Sequence, residues 1–554
     1  MRGRGLVMAA VALASTSTAA AVPADFKRKA DAVLAAAYPA DEPGAAAIVM
    51  DDGKIVYAAG RGLADVAANA PITADTVFRL GSITKQFTAA VVLQLVEEGK
   101  VSLADPLSKF LPDYPRPGAD ATVAQLLNHT SGIQSYTGIP GWMAGPKPAQ
   151  AVTTEQLIAE FKDMPPEFER GAKWNYNNSG YVLLGAIIER VTGKAWHEAI
   201  AERITRPLGL TSIRYGVGEE RIPRMAGGYT REGGKVERSR PIHMSVPHAA
   251  GALVGNARDL AKWSHALHHG KVLKSDTYRQ MIAKTRLTDG TEMAYAFGLS
   301  NEPVRDRKAL AHGGGIFGFS TYALYIPKDD VFVAVLANSD SPPVPSSLTT
   351  LRLAGLAIGN PYPEFKKRTL APRDVEPLLG LYKSKIAERR FYAKDGQLFT
   401  RRSGASDMPV FAAGDDIFFY GPDSLTWFRI KREAAGKHVM EMYHGGGDEA
   451  EVSTRVGPVP AEAPPVALPA ATLNAYAGNY ALGGTPVTVA LGGDGRLTVK
   501  LGQQNPVPIE PTSETLFRAV GVDAEVRFER AEGTVKALVI IQNGRESRAE
   551  RVRD

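Results

Sequence analysis

Gly81-Ser82-Ile83-Thr84-Lys85 opens a run, residues 86–98 (QFTAAVVLQLVEE), that is apolar on nearly every side and is closed by Gly99. A helix apolar all round belongs in a core, and Gly99 suits the left-handed position beyond its end. Ser82 and Lys85 stand three residues apart and so share a face of the first turn. A hydroxyl beside an ammonium contributes little to packing at the mouth of a buried helix. As chemistry the pairing is meaningful. Burial depresses an amine pKa, and the neutral amine can then relieve a hydroxyl nucleophile of its proton. Ser-x-x-Lys is a short pattern, and its weight depends on the rest of the chain.

At 554 residues the chain exceeds one ordinary domain, and two to four are expected. The net charge of +6 falls to +4 without Arg2 and Arg4. The remaining bases are scattered, which argues against a nucleic-acid surface. Residues 1–21 read as a signal peptide: two arginines, an apolar stretch from Leu6 to Ala14, and an Ala19-Ala20-Ala21 cleavage site. That stretch is too short for a permanent span, so no stable membrane anchor is expected after cleavage. There is no cysteine, which excludes disulfides, thiol catalysis and a cysteine metal cage. The expected location is the periplasm or the medium.

In chain order, a helix is expected over 25–37, then a hairpin of Ala45–Met50 and Ile55–Ala59 across Asp51-Asp52-Gly53-Lys54. Residues 134–150 read as loop. Trp174-Asn175-Tyr176-Asn177-Asn178-Ser179 leads into a helical pattern closed by Gly193, with Asn178 or Ser179 as the expected N-cap. His265, His268 and His269 end another helix, but no acid stands near them in sequence, so no metal site is expected. His312-Gly313-Gly314-Gly315 lies on or beside a strand, where glycines signal close approach of another group.

Beyond a Pro-rich break over 357–375 the chain repeats itself. Leu379-Gly380-Leu381-Tyr382 returns as Ala477-Gly478-Asn479-Tyr480, Asp395-Gly396 as Asp494-Gly495, and Arg455-Val456 as Arg551-Val552. Both copies are short alternating runs between turns, the pattern of small antiparallel barrels or sandwiches. The expected division is a signal peptide over 1–21, a catalytic domain over 22–365, barrel-like domains over 371–457 and 470–554, and a stiff Pro/Ala linker over 458–469.

Ser82-x-x-Lys85, Tyr176-x-Asn178 and His312-x-Gly314, in this order, resemble the serine β-lactamase and penicillin-binding superfamily. The likeness is greatest to its class C-like branch, with D-aminopeptidase, D,D-peptidase and family VIII esterase relatives. Leu126-Leu127-Asn128-His129-Thr130-Ser131-Gly132 and Arg206-Pro207-Leu208-Gly209-Leu210 strengthen the likeness. The repeated tail resembles the lipocalin-like additions of some members. The resemblance implies an α/β (α+β) domain with an antiparallel sheet flanked by helices, followed by two small all-β barrels. It also implies Ser82 as nucleophile, with Lys85 and Tyr176 as the coupled general base and a phenolate favoured by the ammonium. Asn178, His312, Gly313 and Gly314 would bind substrate, and the N–H groups of Ser82 and Gly315 would form the oxyanion hole. No metal or organic cofactor is implied.

One departure bears on substrate. Where β-lactamases and D,D-peptidases usually carry Lys-Thr-Gly or Lys-Ser-Gly, this chain has His312-Gly313-Gly314. A fixed positive charge and a hydroxyl for a substrate carboxylate are both lost. The sequence therefore points to an exported serine hydrolase of D-amino-acid amides, peptides or small esters. A true β-lactamase or D,D-carboxypeptidase is the alternative, and a catalytically silent binding protein a further one. Its partner is a small-molecule or peptide substrate, and the oligomeric state is open.

Overall fold

The computed structural model describes residues 22–552 apart from 422, 434–436, 462–463, 484, 503, 532 and 543–544. The signal-peptide assignment lies outside the described residues. The chain divides into two compact units that meet between Tyr362 and Pro363. Among the described residues no helix is long and apolar enough to cross a membrane.

The first unit is built on a six-stranded antiparallel sheet. The expected hairpin forms its strands β1 (Ala45–Asp51) and β2 (Lys54–Arg61). The other strands come from far along the chain: β3 (Ser300–Val304), β4 (Arg307–Ile316), β5 (Phe319–Ile326) and β6 (Val331–Ala337). Their order is β3-β4-β5-β6-β1-β2, with Ile48 opposite Ala334 where the two parts join. β6 is buried along its whole length, so both faces of the sheet are covered there.

Helix α1 (Phe26–Ala37) packs on β2 and on the last helix of the unit. Helix α2 (Thr84–Glu97) follows a 3₁₀ turn over Gly81–Ile83 and is buried from Thr84 to Leu93. Three of its buried polar side chains have partners outside the helix. Thr84 Oγ1 accepts the Leu253 N–H at 3.1 Å, Thr88 donates to Ala249 O at 2.7 Å, and Gln86 Oε1 accepts Trp263 Nε1–H at 3.0 Å. Buried polar groups are tolerable only with such partners, and these bonds tie α2 to the segment 249–253 and to Trp263. Helix α3 (Asn178–Thr192) also packs on α2. Helix α4 (Ala257–His268) lies on β1 and β6, and α5 (Ser346–Ala357) covers β5 and β6.

The second unit contains two closed eight-stranded antiparallel barrels, one from Gly380–Lys383 to Glu451–Gly457 and the other from Gly478–Leu482 to Arg545–Arg551. The sequence repeat acquires a physical reading here. Tyr382 donates to Leu378 O and Tyr480 to Tyr476 O, each reaching four residues back. A Cβ on Gly380 would meet the Arg455 guanidinium at 2.5 Å, and one on Gly478 would meet that of Arg551 at 3.1 Å. In each barrel, then, a glycine on the first strand makes room for an arginine from the closing strand. Between the barrels, the Val466 N–H donates to Pro511 O, so this part of the Pro/Ala segment is bonded to the second barrel.

Candidate active site

The turn carrying Ser82 is held by two glycines. Gly81 has φ +54°, the left-handed region that favours glycine. A Cβ on it would stand 3.1 Å from Gly315 N. On the facing strand, a Cβ on Gly314 would lie 2.1 Å from Leu80 O and 2.3 Å from Thr321 Oγ1. The close approach expected at the glycine run is therefore to the turn that carries Ser82. Thr321 fixes it by donating to Leu80 O at 3.0 Å. This contact brings the backbone of Gly315 beside that of Ser82.

Lys85 is fully buried, and its Nζ has three neighbours: Asn178 Oδ1 at 2.8 Å, Ala250 O at 2.8 Å and Ser82 Oγ at 3.1 Å. The amide and carbonyl oxygens can only accept, so they take two N–H bonds. Ser82 Oγ can donate or accept. Burial holds the amine well below the usual lysine range. With those two oxygens taking N–H bonds, the third direction from Nζ is the one that faces Ser82 Oγ.

Asn178 is free for this task because Asn177 caps α3, its Oδ1 accepting the Gly180 N–H at 2.9 Å. This corrects the expected cap. Ser179 is not the cap either, since its Oγ accepts the Tyr136 N–H at 2.9 Å. Thr137 Oγ1 receives the Asn178 Nδ2–H at 3.0 Å and thereby sets which end of the amide faces Lys85.

Tyr176 presents its ring to the lysine, with Nζ 4.7 Å from the centroid, and Tyr181 does the same at 5.3 Å. The phenol oxygen of Tyr176 is buried without a hydrogen-bond partner among the described residues. Burial pushes this phenol up, an effect tempered by the Ser82 hydroxyl. Burial thus works against the expected phenolate, and the Ser82 hydroxyl works for it. The two aromatic faces would stabilise Lys85 once it becomes charged.

His312 is buried, and both its nitrogens are engaged. Nδ1 lies 2.6 Å from Gly313 O, an acceptor, so it carries the proton, and Nε2 then accepts from Tyr295 O–H at 2.8 Å. Burial and Lys85 drive its pKa down to about 3. The imidazole is neutral and has no free donor for a substrate carboxylate.

The cleft beside Ser82, about 390 Å³, is lined by Tyr136, Thr137, Asn178, Gly315, Phe317 and Asp340 among others, with no lysine or arginine. A larger cavity of about 590 Å³ near Tyr114 and Arg170 does not include Ser82. Ala250 O, Tyr136 and Asp340 escaped the sequence reading. A backbone carbonyl has no residue signature, although the small-residue run Ala249-Ala250-Gly251-Ala252 marks where it lies.

The beta-lactamase family profile matches residues 32–357. Penicillin-binding protein 4* of Bacillus subtilis (strain 168) is 24% identical over 74% of this chain and 94% of its own length. D-aminopeptidase of Gluconobacter oxydans (strain 621H) is 26% identical over 59% of this chain and 61% of its own. Among solved structures, a D-stereospecific amidohydrolase from a Streptomyces species is 30% identical, with a TM-score of 0.51 over 60% of this chain and 98% of its own. The chain belongs to the beta-lactamase family. It is a serine hydrolase related to penicillin-binding proteins and D-aminopeptidases.

Proposed function

We propose that the protein is an exported acyl-enzyme hydrolase that opens amide or small ester bonds of D-amino-acid derivatives carrying a free amino group. The observation that carries this reading is the charge of the cleft. Asp340 is an ionisable side chain lining it, no lysine or arginine does so, and His312 has no donor to spare. Among the described lining residues a substrate carboxylate finds no lysine or arginine, whereas an ammonium finds Asp340. The names of the D-aminopeptidase and D-stereospecific amidohydrolase relatives agree with this class.

In the proposed reaction Ser82 Oγ attacks the substrate carbonyl while its proton passes to Lys85 Nζ, directly or through Tyr176 Oη. The N–H groups of Ser82 and Gly315 hold the oxyanion; losing one such donor costs about 10²–10³ in rate. The C–N or C–O bond then breaks, and the leaving group takes the proton from Lys85. Water then repeats the steps: its proton goes to the same base as its oxygen bonds the acyl carbon, the bond to Ser82 Oγ breaks, and Oγ takes the proton back from Lys85 as the acid leaves. Asn178 and Ala250 O keep the amine aimed throughout.

A panel of D-amino-acid anilides, N-acylated D-amino-acid anilides, nitrophenyl esters and a fluorescent penicillin tests the reading, with Ser82→Ala alongside. Ser82-dependent turnover favouring free-amino substrates is the expected result. Preference for the N-acylated compounds, or stable penicillin labelling, would replace it with a β-lactamase or D,D-peptidase assignment. Absence of Ser82 labelling by any probe would leave a binding protein.

A further inference from the structure

Helix α4 ends in His265 and His268 with His269 as its C-cap, and the fold supplies the acid that the local sequence lacks. Asp330, 61 residues beyond His269, lies in the turn between β5 and β6. His269 Nε2 stands 3.2 Å from Asp330 Oδ2, and the rings of His265 and His269 stack at 4.1 Å. One ligand atom from each of the three residues lies within 4.8 Å of the other two. His268 is separately occupied by Tyr278, whose hydroxyl is 2.7 Å from its Nδ1.

The donors are oriented from behind. His269 Nδ1 lies 2.9 Å from His265 O, which can only accept, so Nδ1 carries the proton and Nε2 presents a lone pair. Asp330 Oδ1 accepts from Tyr325 O–H at 2.9 Å, which leaves Oδ2 facing that lone pair. Two lone pairs at this distance need a cation or a second proton between them. The surrounding charges favour a cation: Asp52 and Asp330 face His265 against Lys271, and the same two acids face Asp51 against Lys54.

We propose that His265, His269 and Asp330 bind one divalent cation of the zinc type, with water in the fourth position. The neighbouring edge of a tetrahedron with bonds near 2.0–2.1 Å measures about 3.3 Å, which matches the observed Nε2–Oδ2 separation. His265, with a ring nitrogen within 4.8 Å of the other two donor atoms, would close the set by turning its ring. Such an ion pins three elements together. His265 already rests on the β1–β2 turn, where a Cβ on Gly53 would meet its Cε1 at 2.9 Å, and the Asp52 N–H donates to Asp330 O at 3.2 Å. The site lies at the opposite end of β5 from Gly315, roughly 20 Å of strand away, so its role is structural and independent of the chemistry at Ser82.

The full chain, stripped with a chelator and reloaded, is titrated with Zn²⁺ by calorimetry and followed by thermal unfolding. The expected result is one ion per chain at micromolar affinity or tighter, with a rise in Tm of at least about 2 °C. Both are lost in His269→Ala and in Asp330→Asn, while turnover at Ser82 is unchanged. Co²⁺ loading of the unaltered chain, which needs no variant to fold, is expected to give the intense visible bands of a tetrahedral site. Equal zinc binding by the unaltered chain and His269→Ala overturns the proposal, as does a Tm indifferent to zinc or an octahedral cobalt spectrum.

Discussion

Replacing Gly314 by alanine tests how the site is assembled, because the added methyl group has nowhere to go. Its Cβ would lie 2.1 Å from Leu80 O, whereas real Cβ contacts essentially never fall below 3.0 Å, so the strand and the Ser82 turn must part by about 0.9 Å. Neither neighbour yields easily. Leu80 O is backbone, and the second obstacle, Thr321 Oγ1, is bonded to it. Separating the two elements moves the N–H of Gly315 away from that of Ser82. A misplacement of about 1 Å costs on the order of 10² in rate, and loss of an oxyanion donor about 10²–10³. The overpacking itself costs about 1–3 kcal/mol of stability. Gly315→Ala is the control, since nothing lies within 4 Å of a Cβ there. Steady-state kcat and KM on a nitrophenyl ester, with thermal unfolding alongside, should show kcat for Gly314→Ala down by at least about 10² and Gly315→Ala within a few-fold of the parent. Equal activity in the two variants would refute the account of how strand and turn cooperate.

Three further outcomes are expected. Lys85 must be neutral to accept the Ser82 proton and burial already depresses its pKa, so acylation should rise with pH through that depressed value and then level; a stopped-flow profile falling over the acidic range with increasing pH would exclude Lys85 as base. His248 and His312 are both buried with pKa values pushed down to about 3. Below pH 6.5 the unfolded chain binds protons that the folded chain refuses, so stability falls from about pH 6.5 towards 3, by about 2 kcal/mol per histidine at pH 5. Denaturant unfolding should show this loss shrink in His312→Gln, and an unchanged pH slope would count against it. Asp340→Asn should raise KM for free-amino D-amino-acid anilides about tenfold and leave N-acylated esters unaffected; equal effects on both would remove Asp340 from ammonium recognition.

Much of this protein was legible in residue order. The apolar run after Ser82, the Asp-Gly hairpin turn and the hundred-residue echo of Gly380-x-Tyr382 in Gly478-x-Tyr480 each report a local rule of periodicity, turn chemistry or repetition. The order of Ser82-x-x-Lys85, Tyr176-x-Asn178 and His312-x-Gly314 identified the family before any geometry was available. The cap of α3 was misread by one or two residues. Asn177, Asn178 and Ser179 are all competent caps, and only the three-dimensional demands of Lys85 and Tyr136 assign the other two elsewhere.

Sequence alone therefore determined most of the elements and the family, because these follow from short-range pattern. Tertiary structure decided which groups meet and in what protonation state. Ala250 O and Asn178 consume two of the bonds of Lys85, Tyr295 and Gly313 consume both nitrogens of His312, and Asp330 comes to His269 across 61 residues. Distance, desolvation and hydrogen-bond supply are properties of assembled neighbours. No spacing along the chain encodes them.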